Sequence, residues 1–370
     1  MTPEELNEKL FEAFKEFQKN VKKPHVLIAG PTRVGKSSLI NKIFGEKVAE
    51  AKDGLPVTDS VKKYEKEDIG VILYDSPGCE IGNVEKFEKE VLNIDEPINL
   101  VWYCINAVEN IEPNDIETIK KFIERKKEKG WDVSVVFTNC DRADEERIKN
   151  SKEAIKKDFN DIYIYITSSK VEHKIFKEEL ERLIKDAIRK LPDALKDAFI
   201  SAQKVNLKEK FKRANIAIAE HVGVAFGVGF IPIPVADAPI LVANQMGMIA
   251  RILYIYDLGS LETMLTGGVG GGIIGQLIST LGKTVVGGIL KLIPGIGTIV
   301  GGVINGSVAS LLTTALGEAV NFSCYKIYKE ILKGNKNIKK EMDNFANMVK
   351  EFAKSFFKSK KKAEDYEIDD

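Results

Sequence analysis

The chain is poor in cysteine and histidine and carries no excess of charge of either sign. Its 4 cysteines are widely scattered, which argues against a disulfide framework or zinc-ligand spacing and favours a reducing compartment. Its 3 histidines are isolated, so neither a nucleophilic triad nor a zinc site is indicated. Lys plus Arg and Asp plus Glu number 55 each, a balance that argues against nucleic acid as a partner. The first residues lack the basic-then-apolar pattern of a signal peptide, so we expect a cytoplasmic protein.

One stretch, residues 26–41, organises the rest of the chain. Its first four residues are apolar and predict a buried strand, and its last four open a helix. Between them, GPTRVGKS matches the phosphate-loop pattern G-x-x-x-x-G-K-[ST] without a mismatch. Glycines let backbone N–H groups turn toward phosphate oxygens, and the helix start adds the positive end of its dipole. The nucleotide-binding residues predicted here are Gly30, Thr32, Arg33, Val34, Gly35, Lys36, Ser37 and Ser38.

A second motif, Asp75-Ser-Pro-Gly78, follows an apolar strand. We expect it to act together with Lys36 and Ser37 of the phosphate loop. Lys36 can reach the β- and γ-phosphates, and the Ser37 hydroxyl can complete a Mg²⁺ shell. The Asp75 carboxylate can hold the same Mg²⁺ through water, and the Gly78 N–H can meet the γ-phosphate. The alternative for this tetrapeptide is an ordinary turn.

A polar loop between the two motifs contains Thr58. We predict that Thr58 is the switch residue that closes over Mg²⁺ when a γ-phosphate is present. Ser60 is the second choice, and a loop hydroxyl that faces solvent is the alternative.

Two further motifs predict the base specificity. In Thr138-Asn139-Cys140-Asp141, the Asp141 carboxylate can accept from the guanine N1–H and the 2-amino group, which adenine lacks. The second motif is Ser168-Ser169-Lys170, whose backbone should donate to guanine O6. The predicted ligand is therefore GTP or GDP, and an ATPase is the alternative.

From residue 24 to residue 192, apolar runs alternate with charged helical patterns. This alternation predicts an α/β domain, a mostly parallel sheet with helices on both faces. The motifs at Asp75, Asp141 and Ser168 fall at carboxyl ends of strands, where open α/β sheets bind ligands. The predicted strands are 25–30, 60–66, 69–75, 98–105, 132–138 and 161–166.

These motifs and their order resemble the Era-like (TrmE–Era–EngA–YihA–septin) branch of the P-loop GTPases. The resemblance rests on the phosphate loop, Pro-Val-Thr at 56–58, Asp-x-x-Gly at 75–78, the motif ending in Asp141 and Ser-Ser-Lys at 168–170. It implies hydrolysis of GTP to GDP and phosphate with Mg²⁺, slowly in a monomer. Thr138 and Asn139 replace the Asn-Lys of the family motif, which removes a cation over the base and predicts weaker affinity and selectivity. Cys79 stands where small GTPases have their water-orienting glutamine, so the catalytic group is not identified.

Arg33 is one candidate for that group. Its place in the loop resembles that of the arginine finger of the guanylate-binding proteins. The resemblance implies that Arg33 neutralises phosphate charge in cis when two nucleotide domains meet in a homodimer. The alternatives are that Arg33 pairs with a surface acid and that Glu80 orients the water. The predicted catalytic residues are Lys36, Arg33 and Thr58.

Outside the α/β domain the patterns are helical. Residues 1–23 read as an amphipathic helix that packs with a helical domain at 193–357, which begins with one basic helix at 193–213. That domain is all-α, Gly-rich and hydrophobic. The charged tail 358–370 is expected to be disordered.

Two stretches of the helical domain, 263–282 and 292–317, contain no charge. They fit a buried hairpin that is released conditionally, a permanent membrane span, or soluble packing. The domain resembles the YcjF-like domain found after bacterial Era-like GTPases, and the layout resembles the immunity-related GTPases.

These resemblances imply a regulatory GTPase whose nucleotide state controls membrane association or self-assembly. Its partners would be GTP, a second copy, and a membrane lipid or a protein. We expect it to be cytoplasmic with peripheral or conditional membrane association. The alternative is a binding switch with negligible turnover that presents the hairpin to a protein.

Overall fold

The computed structural model describes residues 3–45, 61–65, 69–76, 91, 94–168, 173–228, 233–234, 239–258, 303–304, 306–334, 344–345, 347–349, 351 and 354–356. The chain divides into two compact units. We call Lys22–Asn206 the sheet unit, and Met1–Val21 together with Leu207–Asp370 the helical unit.

Six strands form the sheet of the sheet unit, in the order β2-β3-β1-β4-β5-β6. All neighbouring pairs are parallel except β2 and β3, which are antiparallel. The strands are β1 His25–Ala29, β2 Lys62–Tyr64, β3 Ile72–Asp75, β4 Ile98–Asn106, β5 Asp132–Thr138 and β6 Tyr163–Ile166. The central strands are apolar runs buried by packing on both faces, which is why they read as continuous rather than alternating. The predicted α/β fold with a mostly parallel sheet is confirmed.

Nine helices are described along the chain. They are α1 Pro3–Asn20, α2 Lys36–Phe44, α3 Pro113–Lys129, α4 Glu145–Asp158, α5 Lys174–Lys190, α6 Asp193–Ala202, α7 Leu207–Val228, α8 Pro239–Ile255 and α9 Gly306–Leu332. Caps begin two of them: Glu112 and Asp115 form a capping box on α3, and the Asp144 side chain accepts from the Arg147 N–H on α4. A short two-stranded ladder joins β7 Ile233–Pro234 to β8 Val303–Ile304.

The sheet unit extends beyond the predicted boundary at residue 192, because α6 packs within it. The Phe199 ring lies edge-on to Phe44 at 6.1 Å and to Trp102 at 6.5 Å. The single helix expected at 193–213 is two helices, α6 and α7, because the chain leaves the helical path at residues 203–206.

Within the helical unit, α1 packs on α8 and α7 packs on both α8 and α9. The apolar stripe of α1 supplies this contact: Leu10 and Phe14 are buried, and Phe17 lies edge-on to Tyr254 at 5.3 Å. The Lys210 ammonium is fully buried, donates to the Ile255 carbonyl at the end of α8 and lies over the Tyr328 ring. It thereby satisfies a helix C-terminus inside an apolar core.

None of the described helices is long and apolar enough to cross a membrane. The first charge-free stretch, residues 292–302 and 305 of the second, and the charged tail lie outside the described residues. The three interpretations of that region therefore stay predictions.

Candidate nucleotide-binding site

The turn between β1 and α2 has the backbone of a phosphate cradle. Gly30 and Gly35 have φ values of 138° and 99°, which L side chains rarely adopt. At position 30 a β-carbon would also collide with the main chain of Cys104 on β4. The two glycines therefore let the loop close tightly over the end of the sheet.

The Lys36 side chain lies across this loop. It is 8% exposed, and its Nζ donates to the carbonyl oxygens of Gly30 and Pro31, both at 2.9 Å. Arg33 is exposed at the outer edge of the loop, with a left-handed φ of 62°. Thr32 and Ser38 are half-buried, and Val34 is buried beneath the loop. The loop thus brings a buried ammonium and an exposed guanidinium to the same turn.

Ser37, in the first turn of α2, meets Asp75, the last residue of β3, although the two are 38 positions apart in the chain. The Ser37 hydroxyl donates to Asp75 Oδ2 at 3.2 Å. Asp75 is 4% exposed, and its Oδ1 accepts no hydrogen bond from the residues that the structure describes. Burial raises the pKa of the Asp75 carboxyl, and the nearby Lys36 charge opposes the rise. A buried carboxylate oxygen without a donor, beside a hydroxyl, is a donor set that fits Mg²⁺.

Thr138 attaches the motif Thr138–Asp141, here called the base motif, to the phosphate loop. Its Oγ1 donates to the Val34 carbonyl and lies 3.2 Å from the Ile105 carbonyl. Asp141 is exposed on the 3-10 turn Cys140–Arg142 that follows. The Cys140 N–H donates to the Thr167 carbonyl at 3.1 Å, which joins this turn to the segment that contains Ser168. The three predicted binding segments are thus hydrogen-bonded into one surface.

A cleft opens between these segments. Its walls are Gly35, Leu39, Lys42, Thr138, Asn139, Thr167, Ser168 and Leu180. Gly35, Thr138, Asn139 and Ser168 were predicted from the motifs. Leu39 and Lys42 were not, because they lie one and two turns into an ordinary amphipathic helix. Helical spacing from Gly35 is the only signal that would have indicated them.

Several predicted residues lie outside the described residues, namely Thr58, Ser60, Gly78, Glu80, Ser169 and Lys170. Their roles in the switch, in hydrolysis and in base binding stay predictions.

A strand–loop–helix with this cradle, placed beside a buried carboxylate at the carboxyl edge of a parallel sheet, defines a P-loop nucleotide-binding domain. Comparisons with known proteins agree. The family described as "50S ribosome-binding GTPase" matches residues 25–139. The probable GTP-binding protein EngB of Aquifex aeolicus is 31% identical over 170 residues, which is 44% of this chain and 90% of the relative. The chain belongs to the Era/EngB-like P-loop GTPases, and it is accordingly a GTP-binding protein of the GTP-hydrolysing class.

The chain is also similar to solved structures. Aquifex aeolicus Era bound to GDP and AlF4⁻ is 24% identical with a TM-score of 0.35, covering 46% of this chain and 58% of that chain. Toc33 of Arabidopsis thaliana, in complex with Mg²⁺ and GMPPNP, is 18% identical with a TM-score of 0.32 and covers 46% and 82%. The chain therefore spans less than two thirds of the Era structure.

Proposed function

We propose that this GTPase is a regulatory switch in which the nucleotide state of the sheet unit controls the helical unit. The observation that carries the proposal is the packing of α6 and residues 203–206, which touch two elements of the nucleotide site. Leu207, at which the chain enters the second segment of the helical unit, follows Asn206 directly in the chain.

The first of these elements is α2, the helix that carries Lys36 and Ser37. At its far end, the Lys204 N–H donates to the Ile43 carbonyl at 2.8 Å, and Phe199 lies against Phe44. A movement of α2 on nucleotide exchange would therefore act directly on the segment that enters α7.

The second element is β3, which begins two residues after Gly70. A β-carbon on Gly70 would lie 2.3 Å from the Ala198 carbonyl oxygen, so the backbone of Gly70 lies against α6. Because β3 ends in Asp75, a displacement of this strand would reach α6 through Gly70.

Gln203 gives the segment a defined shape. It is fully buried, its Oε1 accepts from the N–H groups of Val205 and Asn206 at 2.9 and 2.7 Å, and its amide donates to the Asn206 carbonyl. These hydrogen bonds make residues 203–206 rigid, so a displacement of α2 would move the whole segment.

The chemistry of the site follows from its residues. Lys36 would bind the β- and γ-phosphates, and Ser37, Asp75 and Thr58 would hold Mg²⁺. The ion would supply charge neutralisation between the phosphates when bound. Asp141 would accept from guanine, with Ser168, Ser169 and Lys170 at O6. Water attack on the γ-phosphorus would then give GDP and phosphate.

Arg33 and the Gly78 N–H would stabilise charge at the γ-phosphate. The exposure of Arg33 at the loop edge supports a role that is completed when two nucleotide domains meet. Membrane association or self-assembly would be the output, as the charge-free stretches of the helical domain suggest.

Hydrogen exchange of α7, α8 and α9, with GDP and with a non-hydrolysable GTP analogue, tests the switch. We expect protection to differ between the two states in the parent and the difference to shrink in Gly70→Ala and Gln203→Ala. Gly130→Ala is the matched control, since nothing lies within 4 Å of a β-carbon there. Equal protection in both nucleotide states of the parent would refute the proposal.

Phosphate release at increasing protein concentration tests the mode of turnover. A specific rate that rises with concentration supports activation by dimerisation. A rate near zero at all concentrations supports instead a binding switch with negligible turnover.

A further inference from the structure

The base motif holds an asparagine where its relatives have lysine, and that asparagine adopts an unusual backbone. Asn139 has a φ of 52° and lies on the wall of the cleft. After glycine, asparagine is among the residues that adopt this left-handed conformation most readily. The conformation still needs support from its surroundings, since it is a minor one for any residue with a β-carbon.

That support comes from Asn106, the last residue of β4. Asn106 is paired in register with Thr138 on β5, so its side chain stands beside the start of the base motif. The Asn139 Nδ2 donates to Asn106 Oδ1 at 3.1 Å. Asn106 and Asn139 are 33 positions apart in the chain, and no sequence motif includes both of them.

Glu109 settles which way the Asn106 amide points. The Asn106 Nδ2 lies 2.6 Å from Glu109 Oε1, and an ionised glutamate can only accept. Asn106 must therefore present its oxygen to Asn139, and Asn139 must in turn present its NH₂ group to Asn106. The chain of two hydrogen bonds fixes the orientation of both amides.

We infer that Asn106 is a positioning residue for guanine, which acts through Asn139 to hold the base motif and the Asp141 turn in place. The inference rests on the proposed assignment of the cleft to the base. Where the family motif covers the base with a lysine, this chain stiffens the loop with a pair of asparagines. Preorganisation of this kind improves affinity by reducing the ordering required on binding.

A double-mutant cycle tests this coupling. Asn106→Ala should weaken GDP binding by about 3- to 10-fold, the effect of one neutral hydrogen bond, and should have little further effect in the Asn139→Ala background. Asn150→Ala, at an exposed position of α4, is the matched control. Additive losses of affinity would overturn the inference.

Base selectivity separates positioning from a general loss of stability. Inosine diphosphate lacks the 2-amino group that Asp141 would bind, so the ratio of GDP to IDP affinity reports on the placement of Asp141. We expect Asn106→Ala to lower this ratio, and the pair Asn106→Asp with Glu109→Gln, which keeps the acceptor for Asn139, to restore it. An equal loss for both nucleotides would overturn the inference.

Asp141→Ala tests the assignment beneath it. If Asp141→Ala still prefers GDP to IDP, the guanine base does not bind at Asp141. The assignment of the cleft and the inference that rests on it would then both be wrong. Either result is independent of the hydrogen-exchange test of the switch, which does not depend on base selectivity.

Discussion

The main chain of Gly30 lies directly against that of Cys104, so that a β-carbon at position 30 would fall 2.3 Å from the Cys104 carbonyl oxygen. Neither partner can move without shifting β1 or β4. We therefore expect Gly30→Ala to lower the free energy of unfolding by more than about 3 kcal/mol, since a clash adds to backbone strain. Gly130 also has a positive φ, of 75°, but no atom lies near its β-carbon position, so Gly130→Ala should cost only about 1 kcal/mol. Urea unfolding of the two variants checks the difference, and similar losses would contradict it.

Lys36→Ala removes the ammonium that lies across the phosphate loop. We expect GTP affinity to fall by roughly 10- to 100-fold, because a charge-assisted contact with phosphate is lost. Titration with a fluorescent GTP analogue measures it. Lys149→Ala is the control, because Lys149 is exposed on α4 with its side chain 74% accessible. Unchanged affinity in Lys36→Ala would show that the loop does not bind phosphate.

Thr138→Val removes a buried hydroxyl while preserving the shape of the side chain. The Val34 carbonyl then loses its donor, and we expect a loss of about 1–3 kcal/mol in unfolding free energy. GDP release should also become faster, because the phosphate loop and the base motif are no longer tied together. Thr138→Ser keeps the hydroxyl and should retain most of the stability. Stopped-flow release of a fluorescent GDP analogue and urea unfolding together test this.

The buried thiols should resist alkylation in the folded protein. Burial raises the pKa of Cys104 and of Cys140 to about 12, and it also raises the pKa of Cys324. A raised pKa leaves less of the reactive thiolate at pH 8, so native labelling with iodoacetamide should be roughly 1000-fold slower than in urea. Peptide mass spectrometry resolves each site. Fast native labelling of any of these three would contradict the packing described around it.

The parts of the fold that could be predicted are those set by local pattern. The apolar runs of β1, β4 and β5 and the phosphate loop lie within single stretches of chain, so their spacing was sufficient. The break between α6 and α7 could not be predicted, because Gln203 is compatible with a helix and only its buried contacts end one. The contact of Asn106 with Asn139 was missed for a related reason. This contact depends on β4 and β5 ending side by side, with Asn106 paired in register with Thr138, and no sequence motif encodes that register.

The helical unit is assembled from the two ends of the chain, since α1 packs on α8 while the whole sheet unit lies between them in sequence. The apolar partners of Leu10 and Phe14 lie in helices that are synthesised roughly two hundred residues later. During synthesis these two side chains therefore lack their native contacts until those helices have been made. In a polypeptide shortened from the front, those partners would be uncovered in the finished product. The apolar side of α1 is thus exposed to misassociation until α8 has been synthesised.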